Sequence, residues 1–168
     1  MNYRYNTIKY NDIANGPGIA VSVYLQGCPH HCKNCFNPET WNFDGGREFT
    51  DETLSSIIKG LTANNIKRHL AILGGEPLCM GDNILLTYDI VYEVKKQLPN
   101  IKIYIWTGYT YEELIEVSRI SQVLRCILKK ADFLIDGPYI EELRDVTLKM
   151  RGSMNQRIIN LKTGEIEQ

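Results

Sequence analysis

IAVSVYLQGCPHHCKNCF, residues 19–36, joins two patterns in one short stretch. Its first seven residues are a nearly continuous apolar run, which suits a strand covered on both faces as in a parallel sheet. Directly after it come Cys28, Cys32 and Cys35 at C-x3-C-x2-C spacing, with His30 and His31 between the first two. The cysteines therefore fall on a loop at the C-terminal end of a strand, where parallel α/β proteins gather their ligands.

The same apolar character returns in HLAILGG (69–75), IKIYIW (101–106), DFLIDG (132–137) and RIINL (157–161). Helical patterns lie between these runs. Leu54, Ile57, Ile58 and Leu61 share one helix face behind Thr50 as a cap, with Asp51 and Glu52 in the first turn. A second helix is expected over 83–98, with Val91, Val94 and Leu98 inward and Pro99 just beyond it. Thr110 and Glu113 form a capping-box pattern that opens a third, and 121–130 reads as a fourth. Strand–helix alternation predicts an α/β fold built from βαβ crossovers around a mostly parallel sheet. A full eight-fold barrel takes about 250 residues, and this chain holds five or six strand units, so an incomplete (βα) barrel or an open parallel sheet is expected. No repeat, low-complexity tract or linker divides the chain, which predicts a single domain over 1–168.

Composition narrows the function classes. The chain is 43% hydrophobic, and 19 Lys and Arg face 20 Asp and Glu, so no net field draws it toward nucleic acid or an anionic membrane. The N-terminal residues lack the apolar segment of a secretory signal and no run is long enough to cross a bilayer, which predicts a cytoplasmic protein. In a reducing compartment, five cysteines, an odd number, point to metal or chemistry rather than disulfides.

What the three-cysteine loop holds is open from its spacing alone. Three thiolates can bind three irons of a 4Fe-4S cube and leave the fourth exposed. The zinc alternative would recruit His30, His31 or Cys79 to complete a tetrahedron. Both histidines also read as surface loop residues, and Cys126, among Val123, Ile127 and Leu128, reads as a core thiol. In LGGEPL (73–78), Gly74 and Gly75 let a ligand approach the backbone, with amides and carbonyls free to bond it, and Glu76 adds a carboxylate. Alone, that segment is an ordinary strand-to-helix turn. NGPG (15–18), WTGY (106–109) and IDGPY (135–139) are glycine turns at strand ends. Thr107 and Asp136 fall at the ligand end of their strands, as candidates to touch a ribose, an adenine or a bound cation.

CPHHCKNCF resembles the CxxxCxxC signature of the radical S-adenosylmethionine (SAM) enzymes, with the aromatic Phe36 after the third cysteine, and LGGEPL resembles their GGEP motif. NGPG, CFNPETW, GGEP, WTGY, DGPY and RGSMNQR (151–157) then follow in the order shown by the activating enzymes of anaerobic, class III ribonucleoside-triphosphate reductases. The similarity spans nearly the whole chain, and Ala20 departs from it where arginine is frequent. The resemblance implies an incomplete barrel of the radical SAM type with a 4Fe-4S cluster on Cys28, Cys32 and Cys35. It further implies that SAM chelates the open iron and is split by one electron to a 5′-deoxyadenosyl radical, which takes hydrogen from a glycine Cα of the reductase. Asn34, Cys35, Phe36, Gly74, Gly75, Glu76, Thr107 and Asp136 become candidate cofactor contacts, no side chain is needed as a general base, and a flavodoxin-like electron donor is implied. A chain this short has no second domain for a large small-molecule pocket, which agrees with a protein segment as target. The alternatives are an activase of another glycyl-radical enzyme such as pyruvate formate-lyase, and a zinc-binding interaction module.

Overall fold

The structure, a computed structural model, describes residues 1–167. The apolar run at 19–25 forms a strand as expected, the second of eight. In chain order the strands are β1 (Arg4–Asp12), β2 (Ile19–Leu25), β3 (Arg47–Glu48), β4 (Arg68–Gly74), β5 (Ile103–Trp106), β6 (Phe133–Asp136), β7 (Arg157–Asn160) and β8 (Ile166–Glu167). The helices are α1 (Asp51–Thr62), α2 (Asp82–Gln97), α3 (Tyr111–Ser118) and α4 (Gln122–Lys130). All strands join one open sheet in the order β3-β1-β2-β4-β5-β6-β7-β8.

The four central strands, β2, β4, β5 and β6, are parallel and adjacent in chain order. Both margins are antiparallel: β1 and β3 on one side, β7 and β8 on the other. The fold is thus α/β with a parallel centre, and the run at 157–161 reverses direction instead of extending it. The N-terminal strand β1 and the two-residue strands β3 and β8 carry no apolar run. β1 is half-buried and polar along most of its length, so its partner β2 supplies the order that its own composition does not.

Helix boundaries follow local chemistry. Thr50 Oγ1 accepts from the Thr53 amide to cap α1. The Thr110–Glu113 capping box opens α3, with the Thr110 amide donating to Glu113 Oε2 at 2.7 Å, and Ser121 caps α4.

The helices all pack on one face of the sheet. Val21, Val23, Leu25, Leu70, Ile72, Ile103, Ile105, Leu134 and Ile159 meet Ile57, Leu61, Ile90, Val94, Leu114, Leu124 and Ile127 in the main core. Alternate residues of the same strands face the other way, as the pleat requires. There Ala20, Tyr24, Ala71 and Leu73 pack with Trp106, and Tyr104, Ile135 and Ile158 pack with Phe133 and Met150. Helices on one face and sequential strand order distinguish this winding from a doubly wound sheet, which carries helices on both.

Candidate active site

The register of β2 against β4 builds the site. Leu25 pairs with Gly74, so the residues that follow each strand meet as well. The Gly75 amide donates to the Leu25 carbonyl at 2.9 Å and the Glu76 amide to the Gly27 carbonyl at 2.8 Å. The strands approach so closely that a Cβ on Gly75 would stand 2.3 Å from the Gly27 oxygen. Gly74 has φ +102°, where a side chain would also meet the Tyr24 backbone at 2.8 Å. Glycine is required here for strand packing. The Gly75 amide is not free for a ligand, contrary to the sequence expectation.

A cavity of about 490 Å³ opens at this end of the parallel strands. Cys28, Cys32 and Cys35 border it, as do Phe36, Gly74, Gly75, Glu76 and Thr107. Two expected contacts lie elsewhere. Asn34, in a left-handed conformation (φ 55°), is exposed outside the lining. Asp136 is fully buried behind it, where its carboxylate accepts from the Tyr111 amide at 2.7 Å and from Arg157. The next residues, Gly137 and Tyr139, reach the cavity instead.

All five cysteines are free thiols. Cys28 is the anchored member of the trio: its amide donates to the Trp41 carbonyl at 3.1 Å, and burial pushes its thiol up to about 11. Burial also raises the Cys32 thiol. Holding a metal as thiolates therefore releases protons from both. Among the described residues no three metal-ligating side chains are already gathered around one point. An all-sulfur donor set on one cavity wall fits an iron–sulfur cluster. Cys79 is buried beside Glu76, its thiol pushed up to about 12 by that burial, and does not border the cavity. Cys126 is half-buried on α4 rather than fully in the core.

Glu76 is a hub of the wall. Only 1% of it is exposed, and four donors converge on it. Oε1 accepts from the Leu78 amide at 2.9 Å and the Thr107 hydroxyl at 2.7 Å. Oε2 accepts from the Gly108 amide at 2.7 Å and from His30 Nε2 at 2.9 Å. One carboxylate thus ties the cysteine loop to the ends of β4 and β5. His30 is no free surface residue: its ring meets Tyr109 edge-on at 4.6 Å, and the bond to Glu76 raises its pKa. His31 does stay exposed, stacked on Trp41. Two adjacent histidines between two cysteines gave no signal for this link, because the partner of His30 lies 46 residues away.

The stretch 151–157 closes the site from above. Gln156 accepts from the Gly152 and Ser153 amides and donates to the Gly137 carbonyl, while Asn155 donates to the Pro138 carbonyl. Gly152 lies against Phe36 and Tyr139, where a Cβ would come within 2.8 Å of the Phe36 ring. Arg157 bonds both Asp136 and Glu112, which holds its proton more tightly than usual. These contacts lock the DGPY turn and the loop after β6 onto the cysteine loop.

Comparison with known proteins agrees with this arrangement. The family described as a 4Fe-4S single cluster domain matches residues 14–159. Proteins named anaerobic ribonucleoside-triphosphate reductase-activating protein are similar over nearly their full lengths. The one from Vibrio cholerae is 39% identical over 94% of this chain and 97% of its own. The one from Haemophilus influenzae is 37% identical over 94% and 99%, and that of Escherichia coli K12 is 34% identical over 90% and 94%. Cysteine trio, glycine turn and closing stretch together with these similarities place the chain in the 4Fe-4S single cluster domain family, among the anaerobic ribonucleoside-triphosphate reductase-activating proteins.

Proposed function

We propose that this chain activates an anaerobic ribonucleoside-triphosphate reductase by generating a glycyl radical on it. The observation that carries the reading is the convergence of three free thiols and the Gly74–Gly75 turn on one cavity in a chain similar throughout to such activators. Bound there, a 4Fe-4S cluster and SAM supply the one-electron chemistry that ends in removal of a hydrogen atom from a glycine Cα.

The chain's own residues prepare that chemistry by position. Cys28, Cys32 and Cys35 hold the cluster as thiolates. Gly74 and Gly75 leave room beside it, and Phe36 and Thr107 border the space that the cofactor fills. Glu76 acts through His30, Thr107 and Gly108, and its four donors leave it no capacity for a strong further contact. Asn34 and Asp136, outside the lining, act as support. We read the single domain as an incomplete barrel of the radical SAM type, which the open sheet with helices on one face supports, and the cavity at the ends of the parallel strands can admit a loop of the reductase. Among the described residues no helix is long and apolar enough to cross a membrane, which suits a cytoplasmic enzyme served by a flavodoxin-like donor.

The test is anaerobic reconstitution followed by electron paramagnetic resonance with reductant, SAM and candidate partners. About four irons per chain and a glycine-centred doublet on the reductase, absent with a formate-lyase, are expected. A colourless protein with one zinc, or a doublet only on the formate-lyase, overturns the proposal.

A further inference from the structure

One charge bordering the cavity has no counterpart. Glu76 is surrounded by donors and His30 is bonded to it. Arg151 also borders the cavity, yet its Nη1 reaches only the Gln156 carbonyl at 3.3 Å and its Nε is buried with no acceptor. Among the described residues no carboxylate lies within ion-pair distance of it. The contrast with Arg157, six positions on and paired with two acids, shows that the stretch does not lack arginine partners in general. A guanidinium N–H buried without an acceptor is unfavourable until one arrives. Arg151 is also held firmly in place. Gln156 latches the two amides after it, and Gly152 is wedged between Phe36 and Tyr139. The cation is therefore part of the wall around the space that the cofactor of the proposed function would occupy.

SAM brings two cationic groups, a sulfonium and an ammonium, and a single anionic one, the methionyl carboxylate. We propose that Arg151 binds that carboxylate through its guanidinium, fixing the methionyl end against the wall of the cavity that Arg151 lines. This rests on the cofactor reading above. The remaining carboxylate oxygen stays available to the cluster. The two donors of the guanidinium fork suit a carboxylate better than a point charge does. No bond is made or broken in this role. Arg151 selects and orients.

The experiment is equilibrium binding to anaerobically reconstituted protein, with SAM and with its decarboxylated analogue as the two probes. Losing the carboxylate weakens chelation in every variant alike, so the comparison isolates what Arg151 contributes. Arg151→Met is expected to weaken SAM by roughly ten- to a hundredfold and to change the analogue by no more than about twofold. Arg151→Lys should fall between, and it carries the test if the methionine variant does not fold. Equal loss of both probes, or loss of neither, overturns the assignment while the cofactor reading stands. Wild-type protein that binds neither probe overturns the cofactor reading itself.

Discussion

Replacing Glu76 with glutamine preserves shape and removes one acceptor, and the geometry says which partner suffers. The four groups around the carboxylate are the Leu78 amide and Thr107 hydroxyl at one oxygen, and the Gly108 amide and His30 at the other. A threonine hydroxyl can turn to accept, and an imidazole can change tautomer. A backbone amide can only donate. Whichever way the new side chain is oriented, its NH2 therefore confronts either Leu78 or Gly108, and one buried N–H loses its acceptor. That orphan costs about 1–3 kcal/mol, and loss of charge assistance in the remaining bonds adds about 1 kcal/mol. A total near 2–4 kcal/mol corresponds to a fall of roughly 5–15 °C in melting temperature for a domain of this size. The assay is thermal and denaturant unfolding of the metal-free chain, so that cluster loss does not contribute. Glu116→Gln, at a surface pair, is the control and should stay within about 0.5 kcal/mol. A Glu76→Gln variant indistinguishable from that control would refute the four-donor account.

Further outcomes follow from other contacts. Gly75→Ala drives a Cβ into the Gly27 carbonyl at 2.3 Å, where backbone cannot yield, whereas Gly27→Ala meets the half-exposed Phe43 ring, which can swing away. Iron per chain after reconstitution should drop sharply in the first and be largely kept in the second, which bears only the cost of a positive φ, about 1 kcal/mol. Arg157→Ala strands the fully buried Asp136 with one amide donor and should cost about 3 kcal/mol or more in denaturant unfolding, whereas Asp136→Asn with Arg157 intact should cost less. His69 is buried with its ring donating to the Asn15 carbonyl at 2.7 Å, and burial lowers its pKa below 6.5. The unfolded chain thus takes up this proton before the folded one, so stability falls as pH drops from about 6.5 toward the folded value, by up to about 1.4 kcal/mol per unit. The advantage of wild type over His69→Gln should shrink on acidification across that window, and a constant gap would contradict it.

The parallel centre was legible because β2, β4, β5 and β6 are buried on both faces and so read as apolar runs. Helix starts were legible because capping is local: Thr50, Thr110 and Ser121 bond amides three residues on. β1 escaped because a polar marginal strand is defined by its neighbour and carries no period of its own. The site divides the same way. Cysteine spacing and the double glycine are written in consecutive residues, whereas the His30–Glu76 bond, the Asp136–Arg157 pair and the unaccompanied Arg151 depend on segments brought together by the sheet. Asp136 was placed at the ligand end correctly by strand position, yet the pleat turns its side chain toward α3, which position alone does not reveal.

The shortness of β3 and β8 has a bearing on how the protein lives in a crowded cell. Each outermost strand is two residues long, so a stray chain finds almost no ladder of unpaired amides and carbonyls to extend, and edge-on stacking into aggregates is discouraged. A wide sheet with an open cavity at its strand ends is thereby kept from recruiting chains along its rim.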